Sequence, residues 1–187
     1  YSSAASDVYK RQELTQAIVN KIVDLALVEG DGTNGFKSID KEADVKKIKK
    51  ITTKAKSAGK TPFADAIEEA VDFVRPTAGR RYLIVKAEDR KALLDELRQA
   101  TANAHVRIKN DDAEIASEVG VDEIIVYTGS KALKPTVLVD QKYHIDMQDL
   151  TKVDAFEWKT NSNMILVETL TSGHVETYNA GAVITVA

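Results

Sequence analysis

Three glycines form the pattern in this sequence that most resembles a ligand site. Gly30, Gly32 and Gly35 fit Gly-x-Gly-x-x-Gly, which in dinucleotide-binding folds lets the backbone approach a pyrophosphate. In those folds the motif joins a strand to the N-terminus of a helix, where the helix dipole favours an anion. Here it follows a segment with helical spacing, and no Gly-Lys-Ser/Thr comes after it. We therefore interpret the motif as a helix-ending turn.

Histidines are the next candidates, because imidazole binds metals and moves protons near neutral pH. The chain has three: His105, His144 and His174. Each falls on a separate predicted strand, and none has the i, i+4 or His-Glu-x-x-His spacing that directs two imidazoles at one metal. We expect them to be surface or hydrogen-bonded strand residues.

Paired carboxylates could perform acid–base catalysis if they converged from separate elements. The acidic pairs of this chain are neighbours in sequence: Glu68-Glu69, Asp111-Asp112 and Asp122-Glu123. There is no cysteine and no Gly-x-Ser-x-Gly nucleophile elbow. The sequence therefore predicts no enzyme, no metal site and no cofactor.

The composition gives no global attraction to nucleic acid or anionic lipid. The 187 residues are 43% hydrophobic and 29% charged, with a net charge of −3. No apolar run approaches the roughly 18 residues that cross a bilayer. We expect no membrane contact, and contact with nucleic acid only where positive charge is concentrated.

Positive charge is concentrated between residues 37 and 60, where nine lysines and three acidic residues give a local charge of +6 and leave −9 elsewhere. Val45, Ile48, Ile51 and Ala55 have helical spacing and predict a helix over 41–56 with a lysine face. The candidate contact residues on that face are Lys46, Lys47, Lys49 and Lys50. They form either a solvated surface or a contact surface for an acidic neighbour or for nucleic acid.

The remaining patterns indicate an α+β chain with helices first and strands last. Helices are expected over 13–29, 63–74, 88–102 and 113–119. Strands are expected over 82–85, 105–109, 123–128, 136–139, 142–147, 153–158, 164–170, 174–178 and 182–186, with turns at 160–163, 172–173 and 179–181. Phe156 and Trp158 fall on the same face of their strand and are expected in the core.

The first twelve residues, YSSAASDVYKRQ, have no apolar period and differ in composition from the helix that follows. They resemble the translated read-through of a sequencing adaptor. We expect residues 1–12 to be a non-native leader that replaces the natural upstream part of an N-terminally truncated chain; the alternative is an ordinary frayed terminus.

Three segments, in the right order, resemble the major capsid proteins of tailed bacteriophages with the HK97-like fold. The tail KTNSNMILVETLTSGHVETYNAGAVITV, residues 159–186, resembles the C-terminal end of that family. Residues 13–36, a helix running into GDGTNGF, resemble its spine helix and glycine-rich turn, and RYLIVKAEDRKALLDELRQ resembles its axial domain. The resemblance implies a spine helix and turn over 13–36, an axial-type α/β domain over 37–139 and returning strands of an antiparallel sheet over 140–187.

The resemblance implies a capsid subunit that assembles with copies of itself into pentamers and hexamers of an icosahedral shell around the genome. It also implies scaffold, portal or decoration proteins as further partners, and a place in the virion after assembly in the host cytoplasm. The family's N-terminal arm and long hairpin are missing, so no cross-link is carried over. In this setting the four lysines are candidate assembly or genome contacts.

Three alternatives stay open. An encapsulin-like compartment shares the implied fold but encloses cargo enzymes. A small α+β ligand-binding domain would use the loop at residues 30–35. A non-specific nucleic-acid binder would use the lysines and would bind with a steep dependence on salt.

Overall fold

The computed structural model describes residues 2–33, 35–55, 60–104, 107–148, 151–157 and 162–187. It confirms the predicted α+β class. The helices are α1 (Ser2–Asp24), continued by a π-helical turn (Leu25–Glu29), α2 (Pro62–Val74), α3 (Ala87–Ala100) with a short 3₁₀ turn after it (Ala102–Ala104), and α4 (Asp112–Val119). The strands are β1 (Ile48–Thr52), β2 (Arg81–Val85), β3 (Glu123–Val126), β4 (Thr136–Val139), β5 (Tyr143–Met147), β6 (Thr151–Glu157), β7 (Ser162–Glu168), β8 (Thr171–Val175) and β9 (Gly181–Thr185).

A mixed five-stranded sheet in the order β1-β9-β4-β2-β3 organises the structure. The two edge strands, β1 and β3, each run parallel to their single neighbour, whereas β4 runs antiparallel to both β2 and β9. The last strand of the chain therefore lies inside the sheet, between β1 and β4. The sheet thus draws strands from both sides of the predicted boundary at residues 139 and 140.

Both faces of this sheet are covered, as the alternating side chains of β9 show. Ile184 is buried in a cluster with residues of α2, α3 and α4 on one face. Its neighbour Val183 is buried with Leu27, Ile39 and Ile48 on the other face. Because successive strand residues point to opposite faces, a strand covered on both sides carries apolar residues without a period of two.

That absence of a two-residue period explains why the predicted helix over 41–56 is wrong. The backbone turns where the Asp44 carbonyl accepts the N–H groups of Lys47 and Ile48, at 2.9 and 3.0 Å, and β1 follows. Ile48 and Ile51 lie on opposite faces of the sheet and are both buried. Their three-residue spacing matches a helix as well as a doubly covered strand, and the β-branched sequence IKKIT favours the strand.

The segment over 143–175 is a pair of nested antiparallel ladders, with β5 on β8 and β6 on β7. The predicted turn at Ser172-Gly173 is wrong, because both residues lie within β8, opposite Asp146 and Ile145. A Cβ at position 173 would lie 2.7 Å from the Phe36 ring, so this position requires glycine. Its carbonyl accepts the N–H of Lys37 at 2.8 Å, which attaches this ladder to the loop after α1.

Other predictions have mixed outcomes. The elements predicted over 63–74, 82–85, 88–102, 113–119, 123–128 and 136–139 are confirmed with small shifts of their ends. The first helix is longer than predicted, because α1 begins at Ser2 and runs through the expected leader. Residues 107–109 of the predicted strand over 105–109 are not in a strand, and His105 lies outside the described residues. Trp158 and the Phe156 side chain also lie outside them.

No described helix combines the length and the hydropathy that crossing a membrane requires.

Candidate assembly surface

The glycine loop ends a helix, as predicted. The N–H of Gly30 donates to the carbonyl of Leu25 at 2.9 Å and closes the last turn of the π-helical segment. The carboxylate of Asp31 accepts the backbone N–H of Thr33 at 2.9 Å, which closes a local turn. The carbonyl of Gly35 then accepts the N–H of Gly173 at 3.0 Å. The loop therefore connects α1 to β8 and follows the C-terminal end of a helix, where an anion is disfavoured.

Two histidines that seemed unrelated in sequence are cross-strand neighbours. His144 on β5 lies directly opposite His174 on β8, with ring centroids 6.3 Å apart. Each has a carboxylate two residues along, at Asp146 and Glu176, with nitrogen–oxygen distances of 3.7 and 3.2 Å. Sequence spacing could not show this pairing. Within the described residues, no three histidine or acidic side chains are grouped closely enough to hold a metal ion.

The acidic pairs do not converge on a common point. Glu69 pairs with Lys49 at 2.7 Å, and Glu123 pairs with Arg80 at 3.2 Å. Asp112 pairs with Arg90, and the Asp122 carboxylate accepts the backbone N–H of Arg81 at 2.7 Å. These carboxylates therefore bind cations and backbone amides of their own chain, which is a structural arrangement.

The four candidate lysines lie on the turn before β1 and on β1 itself, at one edge of the sheet. Lys46 is exposed, and its ammonium has no partner among the described residues. The Lys47 ammonium donates to the carbonyl of Val175 at 2.9 Å. Both backbone carbonyls accept N–H groups from the loop before β9, Lys46 from Asn179 and Lys47 from Ala180. This turn is therefore fixed to the last strand, with the Lys46 side chain in solvent.

Lys49 and Lys50 are neighbours on β1 and so point to opposite faces of the sheet. The Lys49 ammonium pairs with Glu69 and lies 5.8 Å from the centre of the Phe73 ring. The Lys50 ammonium donates to the carbonyls of Ile39 and Asp40, at 2.9 and 2.6 Å. Burial lowers the pKa of Lys50, and the nearby Asp40 carboxylate opposes that shift. The predicted single lysine face is therefore wrong, since the strand divides its lysines between two faces.

A network of ion pairs joins α1 to the sheet. Glu29, in the π-helical turn, pairs with Lys131 from the loop after β3 and with Lys21 of α1. Hydrogen bonds from these two lysines lower the pKa of Glu29 from 4.5 to about 2, although desolvation opposes the shift. The hydroxyl of Tyr127 donates to Asp24. These contacts connect the end of the long helix to the edge of the sheet that carries β3.

A feature that sequence reasoning missed is the acidic character of this second edge. Residues 111–130, which include α4 and β3, contain six acidic residues and no lysine or arginine. The run is visible in the sequence as six carboxylates within 20 residues. Its meaning depends on strand order, which places β3 at the edge opposite β1.

Comparison with known proteins gives close relatives. Two proteins described as "Capsid protein", from Lactococcus phage p2 and Lactococcus phage SK1, are each 98% identical to this chain over 175 residues. The match covers 94% of this chain and 44% of each relative, so the chain spans less than half of their length. No family model matches the sequence.

Comparison of folds agrees with the sequence match. A chain from the satellite phage P4 procapsid that includes the size determination (Sid) protein superposes with a TM-score of 0.54 at 13% identity. The superposition covers 97% of this chain and 64% of that chain. Over the matched residues, the chain is therefore nearly identical in sequence to two phage capsid proteins, and it shares the fold of a phage procapsid chain.

Proposed function

We propose that this chain is part of the major capsid subunit of a tailed phage or prophage, with the HK97-like fold, and that the subunit assembles into an icosahedral shell around the genome. The 98% identity to two phage capsid proteins carries this proposal. In it, residues 13–36, which comprise the part of α1 after residue 12 and the glycine turn, form the spine. Residues 37–139 form an axial-type domain, and residues 140–187 return through the ladders and contribute β9 to the five-stranded sheet.

The proposed role is structural. A shell subunit acts through the geometry of its contacts, so its charged residues need partners on neighbouring copies rather than a substrate. The partners in this proposal are copies of the subunit in pentamers and hexamers, then scaffold, portal or decoration proteins. The subunit would fold in the host cytoplasm and reside in the virion, and enclosed DNA would be contacted without sequence reading.

Among the four candidate lysines, Lys46 is the one we propose as the main contact with a neighbour or with the genome. Its ammonium has no partner among the described residues, whereas those of Lys47, Lys49 and Lys50 are occupied within the chain. Charged groups that already have partners would contribute less to a new contact, because they must first give up those interactions.

We further propose that residues 1–12 are not part of the capsid sequence. The relatives match 175 residues, twelve fewer than this chain has, which equals the length of that segment. Re-reading the source DNA across the junction of Gln12 and Glu13 tests this proposal. A reading frame that continues upstream with different codons supports it, and a confirmed YSSAASDVYKRQ contradicts it.

Expression of the full-length capsid gene that contains this sequence tests the function. Sedimentation and electron microscopy should show closed particles built mainly from this protein, and particles from infected cells should enclose DNA. Particles that enclose proteins in place of DNA would support the compartment alternative. Soluble protein that forms no particles, combined with a nucleotide-dependent rise in melting temperature, would support the ligand-binding alternative.

A further inference from the structure

The two edges of the five-stranded sheet carry opposite charge. Residues 45–55, which run along the β1 edge, contain five lysines and no acidic residue. Within the described residues, Lys49 alone among the five forms an ion pair. The four without one are Lys46, Lys47, Lys50 and Lys54. Lys46 and Lys54 are exposed and flank the strand at its two ends.

The opposite edge is the acidic counterpart. Among the six acidic residues of 111–130, Asp112 and Glu123 pair with arginines. The four that form no ion pair within the described part of the chain are Asp111, Glu114, Glu118 and Asp122. Glu114 and Glu118 lie one turn apart on α4 and therefore share a face of that helix. Four lysines without an ion pair on one edge thus correspond to four carboxylates without an ion pair on the other, within the described residues.

Both edges are also open for pairing. Within the described part of the chain, each edge strand has a hydrogen-bonded neighbouring strand on one side only. Ile125 of β3 is 42% exposed and Val45 before β1 is 66% exposed, so each edge offers an apolar side chain beside its charges. Four strand spacings separate the edges, or about 19 Å. A single neighbour therefore cannot cover both edges by the same contact.

We propose that copies of this chain associate head to tail, with the lysine edge at β1 of one copy against the acidic edge at α4 and β3 of the next. The inference rests on the proposed shell function and names the contact that would form its rings. A two-fold contact would place β1 against β1 or β3 against β3, which brings like charges together. A contact between opposite edges is heterologous, and a heterologous contact forms a closed ring when the rotation between copies allows it.

The acidic edge is what favours a second copy over nucleic acid as the partner of the lysines. Nucleic acid would complement the β1 edge but would leave the α4 and β3 edge without a partner. A second copy satisfies both edges at once, and each added copy presents the same pair of edges again. Complementary charges on the two edges fix the orientation and register of one copy against the next, while apolar groups such as Ile125 supply contact area.

Charge exchange tests the contact in the full-length capsid protein that carries these residues. One variant reverses the lysine edge (K46E/K54E), a second reverses the acidic edge (E114K/E118K), and a third combines all four substitutions. A matched control, K91E/K142E, makes the same change of charge on α3 and before β5, outside the two edge segments 45–55 and 111–130. Circular dichroism confirms that each variant folds; a variant that fails is replaced by its glutamine equivalent.

Each single-edge variant is expected to lower the particle yield by about tenfold or more, since like charges at an interface oppose association. The combined variant has exchanged edges that are again complementary, so its yield should return to within about threefold of the wild type. The control should assemble normally. Normal yields from both single-edge variants, or no recovery in the combined variant, would overturn the proposal.

Two other outcomes are informative. If K46E/K54E forms normal numbers of particles that lack DNA, the lysines contact the genome and the edge contact is refuted. If the wild-type protein itself forms no particles, the proposed shell function fails, and that result is distinct from a failure of the edge contact alone.

Discussion

Replacing Glu96 should destabilise the chain more than replacing any exposed residue of the same helix. Glu96 lies on α3 with 5% of its surface exposed. Its carboxylate accepts the N–H of Phe63 at 3.1 Å and the N–H of Ala64 at 2.8 Å. These amides belong to the first turn of α2, where no intrahelical acceptor is available. Thr61, at the N-cap position, makes no side-chain capping bond, so Glu96 takes over that role from another helix.

The magnitude follows from what each substitution removes. Glu96→Ala leaves two buried N–H groups without acceptors and removes a negative charge from a helix N-terminus, for an expected loss of about 3 kcal/mol in the free energy of unfolding. Glu96→Gln keeps one oxygen acceptor and should lose about 1 to 2 kcal/mol. The alanine variant should melt about 6 to 12 °C lower in a domain of this size.

Urea denaturation followed by circular dichroism measures both losses, with the unfolding slope compared to exclude a change in the unfolded state. Asp95→Ala is the matched control, because Asp95 is the exposed neighbour of Glu96 on the same helix. Its stability should stay within about 0.5 kcal/mol of the wild type. If Glu96→Ala is no less stable than Asp95→Ala, the capping argument is refuted.

Further predictions follow from the sheet, the ion-pair network and the first helix. Gly181→Ala should lower the free energy of unfolding by about 1 to 3 kcal/mol in urea denaturation, because its Cβ would lie 2.6 Å from the backbone oxygen of Val137 in the adjacent strand. A carboxyl NMR titration should give Glu29 a midpoint near pH 2, and Lys131→Met should raise it toward 4.5. Because the folded-state pKa is depressed, the stabilisation from Glu29 is complete above about pH 4.5 and is lost as the pH falls toward 2. Deleting residues 1–12 should change the free energy of unfolding by less than about 0.5 kcal/mol, since the apolar side chains of Val8 and Tyr9 in this segment are 51% and 66% exposed.

Each of these predictions has a result that would contradict it. Wild-type stability in Gly181→Ala would mean that the strands can separate to admit a methyl group. A Glu29 midpoint that does not respond to Lys131→Met would place the cause of the shift elsewhere. A large loss of stability on deleting residues 1–12 would show that this segment packs against the rest of the chain.

Local sequence signals predict an element correctly where its residue pattern fits only one kind of secondary structure. Thr61-Pro62 followed by an apolar stripe is typical of the start of a helix, and α2 begins at Pro62. The acidic residues Glu88 and Asp89 are typical of the first turn of a helix, and they lie in the first turn of α3. In both helices one face is buried and the other is exposed, so the period of the side chains identifies the structure.

The errors arise where burial depends on distant parts of the chain. β1 is covered on both faces, and its neighbour β9 is more than a hundred residues away in sequence, so Ile48 and Ile51 could not reveal a strand by their spacing. The pairing of His144 with His174 depends on strand register. Glu96 interrupts a leucine stripe, and its role becomes apparent only when α2 packs against α3.

The charged edges are an intermediate case. Each run of like charge is local and was countable from the sequence. That the two runs occupy opposite edges follows from the strand order β1-β9-β4-β2-β3, which the last strand of the chain establishes by inserting between β1 and β4. No local pattern near Lys46 or Glu118 encodes that insertion.

The central claim is that this chain forms part of a shell subunit. Cryo-electron microscopy of particles assembled from the full-length protein tests it most directly. The account predicts a closed icosahedral shell whose subunit density contains the five-stranded sheet, α1 and the nested ladders, with β1 of one copy facing α4 and β3 of the next. Purified full-length protein that stays monomeric under conditions in which phage capsid subunits assemble would contradict the account.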